Sequence, residues 1–453
     1  MTTTQKNEMA SLVPLAYEAY LFAYPLMLME YLRRVKTNVS KAEGGRAPMG
    51  HLIRSEQGPI DLSASDLPNP DFKEFSAWLD VLEKPMVLSV PNIRGRFYVI
   101  SLFDAWGNIF RSIGSRTTGE WKGNFALVPH GLKGPLPKGV MRLECPSRTV
   151  QLVGRIQCHG MEDRKLVGEL SDAVHLVPLK VFGNGTAAKM RRSLGRLERH
   201  RINRSIINDV DPAVQLEKVD PLFFLQMMSE LVKDNPPDPQ SNKFLEGLGE
   251  FGYVKDRSLV LIDIDRIIHL AIDKGAEKAR KAMAEAKAHI KAEDWEIWAP
   301  RTRSVEHAKD HLQRALLTGQ QMGIDLPEDY RGYMTGYDRE RRPLDGNNKY
   351  VMHFDKDGIP ATNAFWSLVL YDSNGRLSKN RLDRNSLGSL DALLQNEDGS
   401  IDLSIQSFPP LGGNEVNWLP APMEGFILSL NVYFPKMDET AMAWRPPLVT
   451  KVD

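Results

Sequence analysis

The chain has 453 residues, 42% of them hydrophobic and 26% charged, with Lys plus Arg and Asp plus Glu equal at 58 each. That length exceeds one ordinary core and calls for two or three domains, and the balanced charge excludes the basic excess expected of a nucleic-acid binder. Only two cysteines occur, Cys145 and Cys158, without CxxC or Cys/His spacing, which excludes a disulfide framework and a zinc module and leaves two thiols acting as small core residues.

The first residues, MTTTQKNEMASLVPLAYEAY, lack the basic start, apolar core and small-residue cleavage site of a secretory signal. The most apolar run, LFAYPLMLMEYL, is short for a bilayer and holds Pro25 and Glu30, so no membrane association and a cytoplasmic location are expected. Ala16, Ala19, Tyr20, Ala23 and Met27 fall at helical spacing, with Pro25 expected to kink or break that helix into two. A polar loop with Gly and Pro follows. From Phe75 to Phe182 short strands dominate, among them SAWLDVL, PMVLSVP, RFYVISLF, FALVP, GVMRLECP and TVQLVGRIQC. Turn residues punctuate them at the rhythm of an antiparallel sandwich or barrel.

The stretch RFYVISLFDAWGNIFRSIGSRTTG is the most informative. Phe97, Val99, Ser101 and Phe103 share one strand face, and Tyr98, Ile100, Leu102 and Asp104 the other. A carboxylate at the end of an apolar strand requires a partner or exposure, and Arg111 and Arg116 are the nearest cations in sequence. Such a pair either closes a sandwich rim or floors a pocket.

Beyond Gly183 the pattern turns helical: KMRRSLGRLERHRINRS, PLFFLQMMSELVKD and an Ala- and Lys-rich segment ending in EDWEIW. The basic side chains between 189 and 204 lack interleaved aromatics, so no nucleic-acid partner is expected of them. His307 and His311 stand four apart, but no HEXXH and no third ligand accompany them, and a solvated helix face is expected rather than a metal site. His353 in YVMHFD reads as a solvated strand histidine two residues from Asp355. Strands return as YVMHFDKDG, AFWSLVLYDSNGR, SIDLSIQS and FILSLNVYFP. The chain therefore divides into a helical segment and loop (1–60), a first β domain (61–185), a helical region (186–340) and a second β domain (341–453). It is a mainly β fold with α, two antiparallel β domains joined by a helical region.

The segments AYLFAYPLMLME, SAWLDVLEKPMVLSVPN, YVISLFDAWGNIFRSIGSRTTG, VDPLFFLQMMSELVKDNPP, RRPLDGNNKYVMHF, NAFWSLVLYD, RLDRNSLGS and NWLPAP carry a resemblance. In their order, which runs nearly the whole chain, it resembles two-domain proteins of the domain of unknown function families 1254 and 1214. The resemblance implies tandem jelly rolls with a helical bundle between them, and a homo-oligomer. Relatives usually carry Asn-x-Asp-Thr-Leu-Tyr-Ser before the Ala-Trp-Leu strand. This chain keeps Asn69 and Asp71 of that pattern but places Phe72, Lys73, Glu74 and Phe75 after them.

Two groups of side chains match family patterns and suit a small-molecule ligand. Asp104, Trp106, Arg116 and Thr117 lie in the first β domain; Asp345, Asn348, Trp366, Arg384, Ser386 and Trp418 lie in the second. Indoles wall planar substrates, and guanidinium groups hold carboxylate or phosphate. Asp104 is the expected base or orienter, Arg116 the anion holder, and Trp106 and Trp366 the walls. Against this, Asp345, Gly346 and Asn347 also read as a simple turn. No Gly-rich phosphate loop, dinucleotide fingerprint or GxSxG elbow occurs, so no cofactor and no metal are expected. The expected function is a cofactor-independent enzyme on a small polar or aromatic molecule, of hydrolase or lyase type. The alternative is a binding or assembly protein without turnover.

Overall fold

The computed structural model describes residues 2–54, 67–183, 203, 206–259, 264–292, 297–301, 310–321, 325–411 and 415–452. The basic side chains between 189 and 204, and His307, lie outside the described residues.

Helix α1 (Thr3–Thr37) is continuous through Pro14 and Pro25, so the expected break at Pro25 does not occur. Residues 19–30 are all buried, and a helix apolar on every side belongs inside a bundle. That packing outweighs the roughly 3 kcal/mol a proline costs inside a helix. Among the described residues this helix alone is long and apolar enough to cross a membrane, and 72% of its most apolar window is buried in the fold.

The first β domain is a sandwich. One sheet runs β1 (Ile53–Arg54), β2 (Phe72–Asp80), β8 (Thr149–Gln157), β4 (Tyr98–Phe103), β5 (Ile109–Gly114). The other runs β7 (Val140–Cys145), β6 (Gly123–Pro129), β3 (Met86–Val90), β9 (His175–Pro178). The alternation read in RFYVISLF holds: Tyr98, Ile100 and Leu102 enter the core between the sheets with Phe75, Leu127 and Leu152. Both thiols are buried, and burial pushes Cys145 up to about 12 and raises Cys158 as well, as suits core residues. A helix, α2 (Gly160–Ala173), leaves the end of β8.

The helical region holds α3 (Pro212–Glu217), α4 (Pro221–Asp234), α5 (Asn242–Gly247), α6 (Arg266–Ala292) and α7 (His311–Gln321). Asp211 and Asp220 cap α3 and α4, each accepting from two backbone N–H groups ahead of a first-turn proline. These helices and α1 share one core with Trp78, Phe103, Trp106 and Val153 of the first sandwich.

The second sandwich pairs β10 (Ala299–Pro300), β11 (Tyr330–Thr335), β17 (Phe426–Pro435), β13 (Thr362–Asp372), β14 (Ser386–Gly388) in one sheet. Its other sheet runs β16 (Trp418–Pro420), β15 (Ile401–Gln406), β12 (Lys349–Phe354), β18 (Val449–Val452). A short helix, α8 (Glu439–Ala443), precedes β18. The domain begins ahead of 341, because β11 pairs along its length with β17. Mixed α and β with two sandwiches is the architecture expected from the sequence.

Candidate active site

The outer face of the sheet β1-β2-β8-β4-β5 is divided by the alternation of its strands. Trp78, Val153 and Phe103 enter the helical core at one end. Phe72, Phe97 and Val99 meet Tyr330, Phe365 and Tyr433 of the second sandwich at the other. Rings interlock there, with Phe72 and Phe365 centred 4.8 and 4.5 Å from Tyr433.

Between the two apolar ends lies a buried polar layer. Arg155 donates to Glu74 (2.9 Å) and to Asp325 (2.7 Å), which also accepts from Ser101 (2.6 Å). Arg116 donates twice to Asp329, at 2.7 Å each, and Ser112 donates to the same carboxylate at 2.9 Å. Asp325 and Asp329 sit just ahead of β11, so these pairs pin the start of the second sandwich onto the first.

At one edge of this junction a cleft of about 600 Å³ opens between the two sandwiches. The first contributes Asp71, Cys158, His159 and Arg164; the second contributes the loop from Leu377 to Ser386 and Asp391. Asp71 is buried at its floor, where Ser367 and Ser386 of the second sandwich each donate a hydroxyl to one carboxylate oxygen. Burial raises its pKa above the ordinary value, against the pull of those two hydroxyl groups; Asp391 adds to the rise and His159 opposes it. Local geometry fixes the group: Asn69 Oδ1 accepts from the Asp71 N–H (3.0 Å), and the Cys158 N–H donates to the Asp71 carbonyl (2.7 Å).

His159 follows directly at the N-cap position of α2, with no capping bond from its side chain, and its Nε2 lies 3.7 Å from Asp391 Oδ1. Its backbone N–H donates to Asp163, which Arg96 grips with two hydrogen bonds of 2.6 and 2.5 Å, so the turn is held from below. Asp391 is held in turn by the Gly388 N–H (2.7 Å). In the facing loop Asn380 accepts from Leu382 and Arg384 N–H groups, and Asp383 takes a positive φ of 49°. Asn385 Oδ1 is buried in the cleft wall with no partner among the described residues. Arg164 and Lys379 are exposed at the mouth.

The residues expected from sequence disperse. Asp104 accepts from the Trp106 and Asn108 N–H groups and from Asn108 Nδ2, all at 2.9 Å, and so closes the β4–β5 turn. Burial raises its pKa against these bonds and the charge of Arg314. Neither Arg111 nor Arg116 pairs with it, because Arg116 is taken by Asp329. Trp106 is buried in the helical core, its Nε1 donating to the Asn235 carbonyl (3.0 Å) and its ring 5.1 Å from Phe22. Thr117 donates to the Ser112 carbonyl. Asp345 accepts from the backbone and side chain of Asn347, and Asn348 reaches Tyr350 Oη, the turn that also read from sequence. Trp366 stacks on Phe354 at 5.0 Å inside the second sandwich, and Trp418 donates its Nε1 to the Gln406 carbonyl at 2.8 Å. Of these only Arg384 and its neighbour Ser386 border the cleft, and the Arg384 guanidinium is committed to the carbonyls of Glu415 and Trp418. His311 donates its Nδ1–H to Glu18 (2.8 Å), and His353 stands between Asp402 (2.7 Å) and Asp355 (3.4 Å), which raise its pKa. Among the described residues no cluster of three or more His, Cys, Asp or Glu is arranged to hold a metal ion.

Sequence reasoning assigned no role to His159, Arg164, Lys379 or Asp391, which carry no motif. Asp71 did have a signal: Asn69-Pro70-Asp71 matches the start of the pattern that the resemblance implies.

Comparison with known proteins fits this arrangement. Residues 52–178, the first sandwich, match the family described as protein of unknown function (DUF1254), and residues 331–437, within the second, match protein of unknown function (DUF1214). No curated protein matches the chain. The crystal structure of the VPA0106 protein from Vibrio parahaemolyticus is similar at a TM-score of 0.71 and 20% identity, over 98% of this chain and 100% of that one. At that identity the likeness is one of fold. A putative uncharacterized protein from Burkholderia cenocepacia is similar at a TM-score of 0.41 and 12% identity, over 99% of this chain and 96% of that one. The chain belongs to the family of two-domain proteins of unknown function that join a DUF1254 domain to a DUF1214 domain.

Proposed function

We infer that the cleft between the sandwiches binds a small polar organic anion and carries acid–base chemistry on it, of hydrolase or lyase type. The observation that carries this reading is Asp71: a buried carboxyl lining an open cleft, with its pKa raised by that burial. Such a group retains its proton where an ordinary aspartate has lost it and serves as a general acid. His159 supplies an imidazole as the partner group in this reading, with Asp391 3.7 Å from its Nε2. Arg164 and Lys379 at the mouth attract a carboxylate or phosphate, and Asn385 Oδ1, without a partner among the described residues, suits a donor on the ligand.

One observation favours the non-catalytic alternative. Both Asp71 oxygens already accept seryl hydroxyls from the other sandwich, which is also what a structural tie does. A thermal-shift screen against small carboxylates and phosphates separates the two readings. The acid–base reading expects a ligand that raises the Tm of the wild type and fails to raise that of Arg164→Ala/Lys379→Ala, both positions being exposed. Equal shifts in both proteins, or no shift with any compound, support the structural tie.

A further inference from the structure

The first sandwich is open along one side. β5 ends one sheet and β7 ends the other, and a cavity of about 680 Å³ lies between them, bordered by β6 as well. Its walls combine two chemistries. Phe110, Ile113, Phe125 and Leu143 belong to or pack against the sandwich core, so the depth of the cavity is apolar. Its rim carries Arg111, Arg116 and Lys122, and among the described residues no carboxylate side chain lines it.

The placement of Arg111 follows from the register. It pairs with Leu102, whose side chain enters the core, so the edge strand sets a guanidinium on the core-facing side of the sheet. An inward charge on an edge strand discourages edge-to-edge pairing of sheets. It also places a cation at the mouth of an apolar cavity. Arg116 is already neutralised by Asp329, whereas Arg111 and Lys122 form no ion pair among the described residues. A volume of this size suits a small ligand.

We propose that this mouth is a binding site for an amphipathic monocarboxylate, its alkyl chain along the apolar wall of Phe110 and Met141 and its carboxylate against Arg111 and Lys122. The site is separate from the inter-domain cleft and does not depend on the chemistry inferred there. Apolar chain length sets its affinity: each methylene added from hexanoate to decanoate strengthens binding about fourfold.

Titration calorimetry with sodium octanoate, kept below its micellar concentration, tests the assignment on the full chain. The wild type binds with saturation at one site. Arg111→Ala/Lys122→Ala weakens octanoate at least tenfold while leaving octan-1-ol unchanged. Met141→Trp, at a position 55% exposed and lining the cavity, weakens both. His159→Gln in the cleft alters neither. No saturable octanoate binding by the wild type overturns the proposal. So does undiminished binding by the double variant or by Met141→Trp, each shown by circular dichroism to be folded.

Discussion

Arg116 and Asp71 show how much a single side chain's meaning depends on its partner. Arg116 reads from sequence as an anion holder, and it does hold an anion, the protein's own Asp329, which is 1% exposed. Removing the guanidinium strands a buried carboxylate, so Arg116→Ala is expected to lose about 3–5 kcal/mol in urea unfolding. Arg111→Ala, on an exposed side chain of β5 just ahead of Arg116, stays within about 0.5 kcal/mol. Asp71 makes the opposite case. Its raised pKa means that the folded state holds a proton the unfolded state has released, so stability falls as pH rises from the ordinary aspartate range through the folded value. Asp71→Asn removes that fall, and the difference in unfolding free energy between wild type and variant across this pH range measures it. A wild type that gains on the variant over the same range contradicts the raised pKa.

At the scale of elements, α1 and α6 cross at backbone contact. A Cβ on Gly275 would lie 2.4 Å from Ala16 Cβ and 2.6 Å from the Tyr17 nitrogen, so Gly275→Ala forces the helices apart and costs about 1–3 kcal/mol. Gly168, inside α2 with open space around it, gives the control: Gly168→Ala gains about 0.5–1 kcal/mol of stability in the same thermal or urea measurement. Strand alternation was legible for a related reason. The period of RFYVISLF sorts Tyr98, Ile100 and Leu102 inward without knowledge of the partner strand, and AFWSLVLY sorts Trp366 with Leu368 and Leu370 in the same way. The same parity argues against Trp366 as a pocket wall. Pro25 misled because the cost of a proline is local, whereas the burial that offsets it comes from α4, α6 and α7, far along the chain.

At the scale of the whole molecule, the first sandwich is the hub. One face of its sheet seats the helical core at one end and the second sandwich at the other, with Arg155, Glu74, Asp325, Arg116 and Asp329 fastened between. The cleft exists only because of that docking. Its residues come from 71, 158–164 and 377–391, and no local pattern announces that these meet. The sandwiches were legible because alternation and turns are local; the candidate site was not, because it is a product of how two domains pack. The measurement that tests the central claim most directly follows a compound that binds the cleft by proton NMR in the presence of substoichiometric amounts of the protein. The account expects the wild type to convert it and His159→Gln to convert it at least 10²-fold more slowly, with the fold unchanged. A compound bound in the cleft and left intact by the wild type, or converted as fast by His159→Gln, contradicts it.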